Sequence, residues 1–142
     1  LKEEKIQPHK TTKAEIANLF TVVNRDLKDA TIKELSLDRR FATAYNAALQ
    51  LASIVLYASG YRAKAAVGHH WVTLQILPEL MGRDMKKRTS YFNACRSKRN
   101  VTDYDFAGSI SDIEVAELFS EVRLFHKEVL SWLQKHHSSL TS

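Results

Sequence analysis

Apolar residues recur at helical spacing along most of this chain. Between Lys13 and Ala30 they fall at Ile16, Leu19, Phe20, Val23 and Leu27, a single three-and-four stripe, and the pattern predicts an amphipathic helix. Thr12 with Glu15 three residues later is the sequence form of a capping box at its start. A second predicted helix runs from Leu37 to Ser59 with Ser36 as N-cap. Phe41, Ala44, Tyr45, Ala48, Ala52 and Val55 share one face of it, and Leu49, Leu51 and Leu56 widen that face. Alanines at this density let neighbouring helices approach closely, so the second helix is expected at the centre. Gly60 ends it.

Tyr61 to Lys64 reads as a connector, and a third helix is expected to start near Ala65, carrying Val67, Trp71, Leu74 and Leu77. Pro78 lacks a backbone donor and disfavours helix at the residue before it, so this helix ends or kinks there, and Gly82 closes the segment. The fourth predicted helix spans about Arg83 to Asn100, with Met85, Tyr91, Phe92 and Cys95 apolar and a break near Thr102. The fifth, from Ile110 to about His136, opens on a second capping box, Ser111 with Glu114. Its stripe is Val115, Leu118, Val122, Phe125, Val129 and Trp132 or Leu133. Leu1 to Thr11 and Ser138 to Ser142 are expected to fray. No strand-like alternation, repeat or low-complexity segment competes with this reading. Helices joined by short loops pack antiparallel, so residues 1–142 are expected to form one all-α domain, an up-and-down helical bundle of four to five helices with its core at about 12–137.

Composition supports few turns: 142 residues contain only 4 Gly and 2 Pro. Cys95 is the single cysteine, which excludes an internal disulfide and a cysteine zinc cluster. Leu1 to Lys10 is charged and lacks the apolar core of a signal peptide, and no run of about 18 apolar residues suggests a membrane span. A reducing, cytoplasmic location is the expectation. The formal charge of +5 matters less than its distribution. From Arg83 to Arg99, seven basic residues (Arg83, Lys86, Lys87, Arg88, Arg96, Lys98, Arg99) face one acid, Asp84. Such a patch attracts phosphate backbones or an acidic partner, and it is equally the pattern of a solvated helix face.

The end of this basic helix gathers the strongest candidate chemistry. Arg96 and Arg99 are three apart and share a face, with Asn100, Tyr104 and Asp105 just beyond. Forked guanidiniums bind phosphate bidentately, Asn100 offers donor and acceptor, and Tyr104 offers a hydroxyl and a stacking surface. The same spacing also suits an ion pair of Arg99 with Asp103 or Asp105, with Tyr104 closing the end of the bundle. His69 and His70 are adjacent, hence about 100° apart on a helix and unable to share a metal, and no metal or other cofactor is expected. They read as the start of the third helix. Cys95 on an apolar stripe reads as a buried thiol, and Glu114, Glu117 and Glu121 as a solvated face. There is no glycine-rich phosphate loop.

Three stretches together resemble a known family. They are Arg40-Phe-Ala-Thr-Ala-Tyr-Asn-Ala-Ala-Leu49, Gly60-Tyr-Arg62 leading to Gly68-His-His70, and Arg96-Ser-Lys-Arg99-Asn100-Val-Thr-Asp-Tyr104-Asp105. They resemble HEPN domains (higher eukaryotes and prokaryotes nucleotide-binding) over about residues 12 to 137. The resemblance implies a four- or five-helix bundle, commonly a homodimer, often paired with a minimal nucleotidyltransferase in a toxin–antitoxin module. Active members are metal-independent RNases in which an arginine holds phosphate and a histidine transfers protons. Carried over, the arginine falls on Arg99, the polar residue on Asn100 and the histidine position on Tyr104. A tyrosine titrates near 10 and makes a poor base at neutral pH, but it still donates a hydrogen bond. In some family modules a tyrosine near this motif is nucleotidylated.

The leading expectation is therefore a HEPN-like protein that binds nucleotide or RNA through Arg96, Arg99, Asn100 and Tyr104 and is catalytically weak or inactive. The alternatives are a metal-independent RNase toxin using Arg99 and Tyr104, and a non-catalytic protein-interaction module.

Overall fold

The computed structural model describes residues 5–64, 69–104 and 108–141, with side chains described for all of these except 69 and 101–104. It is an all-α helical bundle with one very small sheet. The elements are β1 (Ile6–Pro8), α1 (Lys13–Asp29), α2 (Leu37–Ala58), β2 (Tyr61–Ala63), α3 (His69–Gln75), α4 (Leu77–Met81), α5 (Met85–Tyr104) and α6 (Asp112–His136), with a 3-10 turn at Ser138–Leu140.

α2 is the axis of the bundle, with α1 and α6 packed along it and α5, α3 and α4 closing the remaining side. Its predicted face is buried throughout, and Ala47 and Ile54 are buried as well, so this helix is covered almost all round. By length and mean hydropathy α2 is apolar enough to cross a membrane, but 61% of that stretch is buried inside the bundle. A helix enclosed by other helices has the same apolar composition as one enclosed by lipid. The α1 stripe places Ile16 and Val23 in the core, with Leu19, Phe20 and Leu27 packed at its edge. On α6 every third or fourth residue from Val115 to Leu133 is buried, and Leu133 rather than Trp132 completes the stripe.

Both helix-start signals are present, in different forms. Ser111 and Glu114 form a complete capping box. At α1, Thr12 accepts from the Glu15 amide, but the Glu15 carboxylate turns away from the cap to accept from the Thr11 hydroxyl at 2.6 Å and from His9 Nε2 at 2.7 Å. The reason lies in an element that local patterning missed. Ile6–Pro8 pairs antiparallel with Tyr61–Ala63, so the expected frayed end and connector form a two-stranded clip. Three residues per strand are too few to display alternation. Gly60, at φ +95°, makes the turn from α2 into that clip, and its carbonyl accepts from the His9 amide at 2.9 Å.

The third helix breaks at Ile76, beside the expected end or kink at Leu77, and Pro78 sits near the start of α4, where a missing amide costs nothing. Two further expectations are corrected. α5 continues past Thr102 to Tyr104 instead of breaking there. The C-terminal end does not fray at Ser138: a 3-10 turn lays Leu140 against the core. The predicted start of the third helix, at Ala65 to Gly68, lies outside the described residues.

Candidate site at the end of the basic helix

α5 carries its basic cluster on more than one face, and the fold separates the members. Arg88 and Lys98 are used internally. Arg88 reaches α6, where it donates to the Glu121 main-chain oxygen at 3.2 Å and to Glu128 Oε2 at 3.2 Å. Its Cζ lies 5.9 Å from the Phe125 ring centroid. Lys98 pairs with Glu114. Of the acids expected to form a solvated face, Glu117 is exposed, while Glu114 and Glu121 are paired with α5 instead. The stripe of α6 sits between its two polar flanks, and one of those flanks meets α5. Arg83, Lys86 and Lys87 are exposed near the start of α5.

Arg96 and Arg99 face the other way, toward α2 and α3. Arg96 Cζ lies 5.8 Å from the Trp71 ring, and its Nε donates to Asn93 Oδ1 at 3.0 Å. Arg99 Cζ lies 5.8 Å from the Tyr45 ring. Both arginines are half-buried. An aromatic face holds a guanidinium through its quadrupole without neutralising its charge, so these contacts orient the two cations at the helix end. Beneath them Tyr45 is 1% exposed, and its hydroxyl has no hydrogen-bond partner. Burial pushes the Tyr45 phenol up to about 12, against the opposing pull of Arg96 and Arg99, so it remains a neutral donor at physiological pH.

The predicted quartet is thus brought together only in part. Arg96 and Arg99 share one side, Asn100 is half-buried next to Arg99, and the α5 backbone extends to Tyr104. The side chains of Asp103 and Tyr104 lie outside the described side chains and Asp105 outside the described residues, as do the ion pairs considered for Arg99 with those acids. Sequence reasoning placed Tyr45 only in the core and did not foresee it under Arg99. The signal was available: a tyrosine among alanines on a buried face must either find a partner for its hydroxyl or leave it orphaned.

Cys95 is buried beside Tyr91 on α5, and burial pushes its thiol up to about 11, so it is no nucleophile. Burial also raises the Tyr91 phenol. Among the described residues no group of His, Cys, Asp and Glu is placed to hold a metal.

No protein-family model, curated protein or solved structure matches this chain.

Proposed function

We propose that this chain is a HEPN-like nucleotide- or RNA-binding protein, catalytically weak or inactive, acting as one component of a toxin–antitoxin or nucleotidyltransferase-associated module. The observation that supports this most is the pair Arg96 and Arg99, one turn apart and each set over an aromatic ring. Two oriented guanidiniums form a set of donors for a phosphodiester. Tyr104 in place of the histidine removes a base that works near neutral pH, which favours binding over cleavage. The reading includes a homodimer and a cytoplasmic setting, the latter in keeping with one buried, unpaired thiol.

The test is titration of labelled single-stranded RNA and of nucleotides with wild-type protein and Arg99→Ala. Loss of one charge-assisted phosphate contact is expected to weaken binding by about tenfold or more and to flatten its salt dependence. Absence of binding to every probe, or equal binding by the variant, overturns the reading. In EDTA the wild type is expected to leave RNA intact, and metal-independent cleavage abolished by Arg99→Ala would instead make it an RNase. Light scattering that shows a monomer would remove the dimer from the proposal.

A further inference from the structure

A second candidate site lies where α2, β2 and α3 meet. A cavity of about 330 Å³ opens between α2, β2 and α3, in the size range of small-ligand pockets. α2 contributes Asn46, Gln50, Ser53 and Tyr57, which recur at three- and four-residue steps and so form a polar strip along an otherwise buried helix. α3 contributes His70 and Thr73, and β2 brings Arg62 and Lys64 to the rim. No carboxylate is among these lining residues, which include two cations, and Arg62 also feels the Glu15 carboxylate of α1.

Two of its walls are held from behind. Asp26, buried on α1, accepts from Asn46 Nδ2 at 2.6 Å while paired with Arg25 at 3.0 Å. This fixes the orientation of the Asn46 amide. On the other wall, the Tyr57 ring lies 4.7 Å from the His9 ring, and His9 is held in turn by Glu15. The β1–β2 clip thus ties α1, α2 and the cationic rim into one support. Core helices rarely devote four polar side chains to a void, and supporting hydrogen bonds of this kind position groups for a ligand.

We infer that this cavity binds a small phosphomonoester. Its dianionic phosphate is set between Arg62 and Lys64, and its hydroxylated body is set against Asn46, Gln50 and Ser53, with Tyr57 and Leu49 as the apolar wall. Two cations on one rim match a phosphate dianion better than a single carboxylate, and the polar strip suits a sugar rather than an acyl chain. The site is distinct from the Arg96/Arg99 cluster and does not rest on the function proposed for it.

Calorimetric titration of the full chain with ribose 5-phosphate, adenosine monophosphate, ribose, adenosine and inorganic phosphate tests the inference. At least one phosphomonoester is expected to bind about tenfold more tightly than both its unphosphorylated counterpart and inorganic phosphate. Ribose 5-phosphate alone identifies a sugar phosphate as the ligand class, and adenosine monophosphate alone a nucleotide. The double variant Arg62→Ala/Lys64→Ala changes exposed side chains, so it folds, and it is expected to lose about tenfold or more in affinity, as is the volume-conserving Gln50→Met. Lys127→Ala, an exposed change on α6 outside both sites, is expected to bind as the wild type does. The inference is overturned by no binding of either ester at about 5 mM, by equal binding of inorganic phosphate, or by wild-type affinity in the double variant.

Discussion

Arg88 is the strongest polar connection between the helix that carries the candidate site and the rest of the bundle, and replacing it by alanine makes a quantitative test of that role. Its side chain is 15% exposed, so the guanidinium is largely removed from water. It lies 3.4 Å from Glu121 Oε1, and its Nε faces Glu128 Oε1 at 2.9 Å, off hydrogen-bond alignment, while NH2 donates to Glu128 Oε2 at 3.2 Å. A fully buried pair loses about 3–5 kcal/mol when one partner is deleted. Here the two carboxylates are 35% and 41% exposed, so water solvates them once the arginine has gone, and each pairing is discounted to about 0.5–1 kcal/mol. The cation–π contact with Phe125 and the packed stem add about 0.5–1 kcal/mol. The total for Arg88→Ala is about 1.5–3 kcal/mol, or a fall in Tm of roughly 5–10 °C for a chain of this size. Urea and thermal unfolding measure it directly. Arg88→Met keeps the stem and is expected to recover about 1 kcal/mol of the loss. A loss below about 0.5 kcal/mol in Arg88→Ala would refute the reasoning, because it would mean that α5 is held to α6 by its apolar residues alone.

Three other measurements follow from the structure. Cys95, buried with its thiol raised to about 11, is expected to be alkylated at pH 8 at least about a hundredfold more slowly in the native protein than in denaturant; comparable rates would show the thiol to be exposed. His126 stacks on Phe20 with ring centroids 5.7 Å apart, and burial, reinforced by Arg123, lowers its pKa below the ordinary 6.5. The unfolded chain therefore takes up the proton first, and stability is full above pH 6.5 and declines as the pH falls toward the folded value, so Tm is expected to drop between pH 8 and pH 5.5 and the drop to shrink in His126→Phe. Ser111→Ala removes the acceptor for the Glu114 amide at the start of α6 and is expected to cost about 1 kcal/mol in urea unfolding, a value near zero arguing that the cap is idle.

The helices were legible because their signals are local. Stripes of three-and-four spacing, Ser36 and Ser111 as caps, and Gly60 after the last apolar turn each depend on residues within one or two turns, and α1, α2 and α6 follow them closely. The buried state of Cys95 was legible for the same reason. The candidate site was legible as a pair: three-residue spacing on a helix puts Arg96 and Arg99 on one side whatever surrounds them.

What surrounds them was decided only by the tertiary structure. Seven basic residues on and just before α5 look alike in sequence, yet packing sends Arg88 and Lys98 to the acids of α6 and Arg96 and Arg99 to the rings of Trp71 and Tyr45. The β1–β2 clip joins residues more than fifty positions apart through three-residue strands, too short to carry an alternation of their own. Asp26 stood within the apolar stripe of α1, and only the approach of α2 supplies Asn46 as the partner that makes its burial tolerable. Helical periodicity records which face of each element is apolar. Which polar groups meet across the bundle depends on the rotation and register of one helix against another, and those are set by packing of side chains distant in the chain.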